Sequence, residues 1–385
     1  MRPRVAIISE IISPYRLPVF NSLAANANLD LHIVFLSETD PSLREWRIYR
    51  DEIRFRYDVL PNWRRRIAGY NVLINWDLYQ HLDRISPDIV LCGGYSYMAS
   101  WQAARWCGQH GVPLVLWSES TPYDNRGEFM AVEFLKNRFL RNCRAFVVPG
   151  RSAFDYLVSL GVPEAEILTA PNTVDNEFFG RRALAVRMNA ASCRARYGLP
   201  QRFFLYCGRL TKAKGVFDAL DAYASLGTDL RSDVGFVFVG NGHAKSDLEA
   251  TAKNIYPGKV QFAGFVHRED LPAFYGLADM LIFPTHSDPW GLVVNEAMAS
   301  GLPIITTSVA GCSADLVENG RNGFVVKAGA IDQLSSAMDL LSRNHDMRSR
   351  FAAHSEEHIR SYSPEACARG LAAVVEHISG KLAYA

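Results

Sequence analysis

The sequence predicts an α/β protein of two doubly wound units, each a parallel sheet covered by helices on both faces. Three observations predict it. Short apolar runs alternate with helical patterns along the whole of the 385 residues, the signature of parallel strands joined by crossover helices. The runs are rich in Val, Ile, Leu and Phe without strict alternation, as strands buried on both faces require. The rhythm also starts twice: one set runs from Val5 to about Leu168, and a fresh strand opens at Phe203. At roughly 150 residues per domain the length accommodates two units.

Taken in order, the strands of the first set are residues 5–9, 31–36, 89–92, 114–117 and 145–148, and those of the second are 203–207, 234–239, 261–262, 280–283 and 304–306. Helical spacing marks 18–26, 71–83, 152–160, 216–225 and 331–342. Between the sets, Ala170-Pro-Asn-Thr-Val-Asp175 carries the Pro and Asn punctuation of a linker. A helical stretch with Arg181, Arg182, Arg187, Arg194 and Arg196 follows it. The boundary is expected near residue 172, giving units 1–171 and 172–363. Sheets of this kind bind ligands at the carboxyl ends of their strands, and a two-unit protein is expected to carry its site in the cleft between them.

Composition excludes several functions. The 41 Lys and Arg nearly cancel the 40 Asp and Glu, so affinity for nucleic acid through overall basic charge is not expected. No apolar run approaches the ~18–20 residues of a membrane span, and the opening Met-Arg-Pro-Arg-Val-Ala-Ile-Ile-Ser-Glu lacks the apolar stretch of a signal peptide. The seven cysteines are scattered, with no Cys-x-x-Cys. Reduced, mostly buried thiols in the cytoplasm are expected, with neither a disulfide framework nor a zinc site.

Two stretches carry chemistry. In Phe203-Phe-Leu-Tyr-Cys-Gly-Arg-Leu-Thr-Lys-Ala-Lys-Gly215 an apolar strand ends at Gly208, a short turn carries Arg209, Lys212 and Lys214, and Gly215 opens a helix. Cations at the end of a buried strand, beside free amides at a helix start, make an anion site; the alternative is a solvated basic turn. Ala213 stands where a Walker A loop has Gly. In the second stretch, Asp288-Pro-Trp-Gly-Leu-Val-Val-Asn-Glu296, the Asp-Pro pair reads as a helix N-cap and first turn. Glu296 would then lie about 12 Å further along the helix. Such carboxylates suit hydroxyl pairs on two parts of an extended ligand; the alternative is a capping Asp288 and a Glu296 on a solvated face. Together, cations for a diphosphate and two carboxylates for a ribose and a sugar describe a nucleotide-sugar site.

At these residues the chain resembles the family 4 glycosyltransferases, whose GT-B fold sets two Rossmann-like domains facing a central cleft. The stretch from Gly208 to Gly215 is similar to that family's diphosphate loop. Asp288 to Glu296 is similar to its Glu-x7-Glu motif, with Ala297-Met-Ala-Ser-Gly301 behind it. Pro171-Asn-Thr-Val-Asp175, Val239-Gly-Asn-Gly242, Val260-Gln-Phe-Ala-Gly-Phe-Val266 and Asn319-Gly-Arg-Asn-Gly-Phe324 are further echoes. The resemblance implies that Arg209 and Lys214 hold the donor diphosphate, Glu296 the ribose, and the backbone around Gly264 and Val266 the base. Asp288 and the amides of Trp290, Gly291 and Leu292 would hold the transferred sugar. It further implies a UDP- or GDP-linked hexose donor, retention of anomeric configuration, no metal or other cofactor, and a final helix, about 364–385, returning to the first domain.

The chain departs from the family at three places. Asp288 stands for Glu, one methylene shorter. The loop Ser9-Glu-Ile-Ile-Ser-Pro-Tyr-Arg-Leu-Pro18 lacks the usual glycines, and Arg16 is the candidate to replace their phosphate contact. Where many members carry a His after the fourth strand, this chain runs Trp117-Ser-Glu-Ser-Thr, and Glu119 is the candidate polar acceptor or base-like group, or else a capping Glu. The acceptor, whether glycan, lipid-linked or small molecule, is expected on the first unit. The clusters Trp63-Arg-Arg-Arg-Ile67 and Lys136, Arg138, Arg141, Arg144 among Phe134, Leu135, Phe139 and Leu140 could rest on anionic lipid. They could equally be two solvated helix faces. Two other readings stay open: a sugar-nucleotide epimerase or hydrolase on the same fold, and a binding partner without turnover. A nicotinamide-dependent dehydrogenase is disfavoured, since no Gly-x-Gly-x-x-Gly follows a strand.

Overall fold

The computed structural model describes residues 2–40, 45–67, 70–123, 130–255 and 259–383. It divides into two compact units, one of residues 2–122, 130–172 and 364–383, the other holding Thr173–Ser363.

The first unit runs β1 (Arg4–Ser9), α1 (Leu17–Ala24), β2 (Asp30–Phe35), β3 (Arg56–Val59), β4 (Asn62–Ile67), β5 (Tyr70–Asn75), α2 (Leu78–Ile85), β6 (Ile89–Gly93), α3 (Met98–His110), β7 (Leu114–Trp117), α4 (Met130–Leu140), β8 (Ala145–Val148), α5 (Arg151–Ser159) and β9 (Ile167–Thr169). Seven strands form one sheet in the order β3-β2-β1-β6-β7-β8-β9, and β4 and β5 form a separate hairpin. Each pairing in the sheet is parallel. The central strands β1, β6, β7 and β8 are apolar because both faces are covered. Val5 and Ile7 of β1 join one core, whereas Ala6 and Ile8 join the other; alternate residues of a strand point to opposite faces.

The second unit runs α6 (Asn176–Met188), α7 (Ala190–Tyr197), β10 (Arg202–Cys207), α8 (Val216–Ala224), α9 (Thr228–Asp233), β11 (Val234–Val239), α10 (Lys245–Ala252), β12 (Val260–Gly264), α11 (Leu271–Leu277), β13 (Met280–Phe283), α12 (Leu292–Ala299), β14 (Ile304–Thr307), α13 (Ser313–Leu316), β15 (Gly323–Val326), α14 (Ile331–Arg343) and α15 (His345–His358). Its sheet, in the order β12-β11-β10-β13-β14-β15, is parallel too. The last helix, α16 (Pro364–Ala383), belongs to the first unit and packs on α1, β8 and β9. Cys367, Leu371, Val374, Val375 and Ile378 form its buried stripe in the core that also holds Val5 and Ile33, the three-and-four spacing of an amphipathic helix.

All ten strands expected from sequence are present, as is the double α/β architecture. One helix is corrected. Residues 71–83 split into β5 and α2, because Val72-Leu-Ile74 pairs antiparallel with Arg65-Arg-Trp63. The amide of buried Asn75 donates to the carbonyls of Leu36 and Pro61, at 2.7 and 3.1 Å, and anchors the strand end beside β2. The Trp63–Ile67 cluster is accordingly a strand and not a helix face.

In each sheet the order reverses at one place, between β1 and β6 and between β10 and β13. Ligands of doubly wound sheets bind at the carboxyl ends of the strands on either side of such a switch. In the second unit those strands lead into Gly208–Gly215 and Pro284–Asp288, the two stretches the sequence singles out.

Candidate functional site

The loop after β10 is held from both sides. The amides of Gly208 and Leu210 donate to the carbonyls of Val239 and Asn241 at 2.9 Å, tying it to the end of β11. On the other side the amide of His286 and the hydroxyl of Thr285 both donate to the Ala213 carbonyl, at 2.9 and 3.2 Å. Lys212–Lys214 forms a single tight turn that closes on Gly215. Gly215 has φ +66°, and a Cβ there would lie 1.8 Å from the Pro284 carbonyl oxygen, so only glycine allows the two loops this approach.

The consequence is an ion pair. Lys214 Nζ lies 2.6 Å from Asp288 Oδ2 and 2.7 Å from the Ser287 carbonyl, with the side chains 12% and 19% exposed. The other Asp288 oxygen accepts the Trp290 amide at 3.1 Å. Arg209 is exposed at the mouth of the same loop, its carbonyl fixed by the buried Tyr206 hydroxyl at 2.8 Å.

Two expectations about Asp288 and Glu296 are corrected. Asp288 does not cap the helix: α12 begins at Leu292 with Gly291 as its N-cap. Gly291 has φ +99°, and a Cβ there would meet the Phe283 ring at 2.6 Å, so the chain turns against β13 before the helix starts. The two carboxylates therefore do not share a helix. Nor is Glu296 on a solvated face. It is 1% exposed and accepts the Tyr275 hydroxyl at 2.5 Å. The Trp290 amide is taken by Asp288, whereas the amides of Gly291 and Leu292 meet no partner among the described residues. Gly264 ends β12 at the same sheet edge, its carbonyl accepting the Gly240 amide at 2.7 Å, with half-buried Val266 two residues on.

In the first unit Arg16 precedes α1 and Glu119 follows β7, and the structure brings them together as an ion pair. The Arg16 guanidinium also lies 4.0 Å over the Trp117 ring. Glu119 caps no described helix; its carboxylate is turned to Arg16.

Sequence reasoning missed a second polar centre at this edge. Arg64, read as one of a surface run, turns inward: Nη1 lies 2.5 Å from Asp40 and 3.2 Å from Glu10. Tyr97 hydrogen-bonds Glu10, and burial, with that carboxylate, pushes its phenol well up. Period-two alternation on a hairpin was the available signal, since neighbouring Arg65 stays exposed, 5.8 Å over Trp63. In the second basic cluster Lys136 is likewise buried and reaches the Tyr156 hydroxyl at 2.5 Å, while Phe134 and Leu135 face solvent. Among the described residues no group of three His, Cys, Asp or Glu could hold a metal ion, and no helix is long and apolar enough to cross a membrane.

Two Rossmann-like units in one chain, the second with cations and free amides at its switch point, define the GT-B class of group-transfer protein. The sequence assigns the family: residues 22–178 match the model of Glycosyltransferase Family 4 and residues 194–358 that of Glycosyl transferases group 1. The chain belongs to the group 1 glycosyltransferases. Alpha-D-kanosaminyltransferase of Streptomyces kanamyceticus is 32% identical over 165 residues, 42% of this chain and 42% of that protein. D-inositol 3-phosphate glycosyltransferase of Streptomyces scabiei is 31% identical over 195 residues, 48% and 44% of the two chains. These matches span less than half the length of the curated relatives. Among solved structures, Anabaena Alr3699/HepE in complex with UDP and glucose superposes with a TM-score of 0.75 at 14% identity, over 97% of this chain and 100% of that one. Sucrose-phosphate synthase from Thermosynechococcus elongatus gives the same TM-score at 17% identity, over 99% and 100%. At this identity the likeness is one of fold.

Proposed function

We propose that the protein is a retaining glycosyltransferase that moves a hexose-type sugar from a UDP- or GDP-linked donor to a hydroxyl of a glycan, lipid-linked or small-molecule acceptor. It would serve polysaccharide or glycoconjugate biosynthesis. The observation that carries this reading is the arrangement at the second unit's switch point: Arg209 exposed, Lys214 locked to Asp288, and the open amides of Gly291 and Leu292 beside them. A diphosphate meets fixed positive charge there, and the sugar beyond it meets a carboxylate already oriented by Lys214 and the Trp290 amide. Relatives named as sugar transferases and a neighbour solved with UDP and glucose support it.

In this reading the bond from the anomeric carbon to the diphosphate oxygen breaks as the acceptor oxygen bonds to the same face of that carbon. The acceptor's proton passes to the leaving phosphate oxygen. Negative charge grows on the diphosphate as this happens, and Arg209 and Lys214 act most strongly at that moment. They supply the charge a divalent cation would otherwise bring, so no metal or other cofactor is assigned. Glu296 is assigned to the ribose, the backbone at Gly264 and Val266 to the base, Arg16 to the donor phosphates and Glu119 to the reacting sugar as a polar acceptor. The protein would act in the cytoplasm, peripherally at an anionic membrane surface where the acceptor is lipid-linked.

Calorimetric titration with UDP, GDP, ADP and their common sugar conjugates, with and without chelator, tests this. Binding of one diphosphate that persists in chelator supports the reading and names the base. Binding of none would overturn it.

A further inference from the structure

We propose that Tyr275 is the positioning residue for Glu296, and that this buried hydrogen-bonded pair sets the protein's preference for ribose over deoxyribose in its nucleotide. This deepens the reading of Glu296 as the ribose ligand and rests on it. The pair and the Cys207 thiol come from three elements of the second unit. Cys207 ends β10, one residue before the diphosphate loop, Tyr275 lies on α11, and Glu296 on α12. They are 6%, 0% and 1% exposed.

Proton counting fixes the directions. Tyr275 has one hydroxyl proton, and it points to Glu296 Oε2 at 2.5 Å. The Cys207 thiol lies beside this pair. Burial first, and then the neighbouring carboxylate, pushes the thiol up; burial, Cys207 and Glu296 push the phenol up. Both keep their protons at neutral pH, which leaves Glu296 as the terminal acceptor. The Tyr275 ring is itself held edge-on by Phe179, with centroids 6.0 Å apart, and each residue of α11 is buried.

A carboxylate buried to this degree needs a strong donor to hold one orientation, and a short bond from a neutral hydroxyl is such a donor. Cys207, beside the pair, ends the strand that leads into Gly208 and Arg209. The ribose carboxylate and the diphosphate loop therefore belong to neighbouring elements of one sheet edge. A ligand whose diphosphate sits on that loop presents its ribose hydroxyls to a carboxylate that is already aimed. Without the Tyr275 hydroxyl the carboxylate is still present but loses the donor that aims Oε2, and the hydroxyl pair is recognised less well.

The test compares wild type, Tyr275→Phe, Glu296→Ala and the double variant in titrations with UDP and 2′-deoxy-UDP, and with the guanosine pair. Wild type is expected to prefer the ribonucleotide. Tyr275→Phe should cut that preference by about tenfold, the scale of one hydrogen bond to a charged group, with affinity for the deoxynucleotide held within about twofold. That unchanged affinity also reports a folded site. Glu296→Ala should abolish the preference, and adding Tyr275→Phe to it should change nothing more. Tyr275→Phe with the full preference, beside a Glu296→Ala that has lost it, would overturn the positioning role and leave the ribose reading standing. Preference intact in Glu296→Ala, or absent from wild type, would overturn the ribose reading and this proposal with it.

Discussion

Lys214 and Asp288 neutralise each other at 2.6 Å, so each residue's contribution depends on what its removal leaves behind. Lys214→Ala leaves Asp288 facing the diphosphate without its partner, and the charge it met is largest in the transition state. The variant should lose about 10²–10³-fold in kcat, as when one transition-state donor is removed, with a much smaller change in donor affinity. Steady-state kinetics beside titration of the diphosphate separates the two, and an unchanged kcat would remove Lys214 from the chemistry. Asp288→Asn is the converse. It frees Lys214 for phosphate, so affinity for the free nucleotide diphosphate should hold or rise while sugar transfer falls; loss of diphosphate affinity alone would show the roles are misassigned. The sequence revealed these residues because a cation-bearing turn and an acid before a helix are local patterns. Tyr275 was not legible, since its partner lies on another helix and nothing near it in the chain marks it as more than a core aromatic. Arg64 was hidden differently: within a run of arginines only the strand's alternation separates Arg64, which turns inward to Asp40, from exposed Arg65.

At the scale of elements, the central strands were legible because burial on both faces gives them unbroken apolar runs, whereas edge strand β3, Arg-Tyr-Asp-Val, carries no such run. Residues 71–83 misled because Ile74, Leu78 and Leu82 keep helical spacing across a break at Asp77, after which α2 begins; the pairing of β5 with β4 is tertiary information. The close approach of the loops after β10 and β13 gives the element-scale test. Gly215→Ala places a Cβ against the Pro284 carbonyl in a left-handed conformation, costing about 1–3 kcal/mol in backbone strain before any clash. It should lower the melting temperature by several degrees and weaken diphosphate binding, although alanine alters no charge. Wild-type affinity in this variant would show that the two loops need not touch. For α4, Phe134 and Leu135 are 67% and 49% exposed, with Arg138 exposed on the same helix. If this face meets lipid, wild type should sediment with phosphatidylglycerol vesicles but not with phosphatidylcholine, and replacing Phe134 and Leu135 by Ser should abolish it. Equal sedimentation of both proteins would assign the face to solvent.

Across the whole molecule the buried thiols couple stability to alkaline pH. All seven cysteines are free, and five are buried. Burial raises Cys92 from 9.0 to about 11, and Cys107 and Cys367 to about 12. Cys207 and Cys312 in the second unit are pushed up for the same reason. In the unfolded chain these thiols lose their protons near pH 8.5, whereas in the folded protein they retain them well beyond it. Above that pH the native state binds more protons than the unfolded state, so stability falls as pH rises. The contribution is fully present below pH 8.5 and is lost progressively up to about 11–12, the folded values of Cys92, Cys107 and Cys367. The slope is on the order of 1 kcal/mol per pH unit for each thiol. Urea unfolding at pH 7.5 and pH 10 measures it: the midpoint should drop markedly at the higher pH, and a variant with Cys92, Cys107 and Cys367 replaced by Ala should lose part of that drop. Equal sensitivity in wild type and variant would place the alkaline loss elsewhere, in the phenols of Tyr206 and Tyr275, which burial also pushes far up.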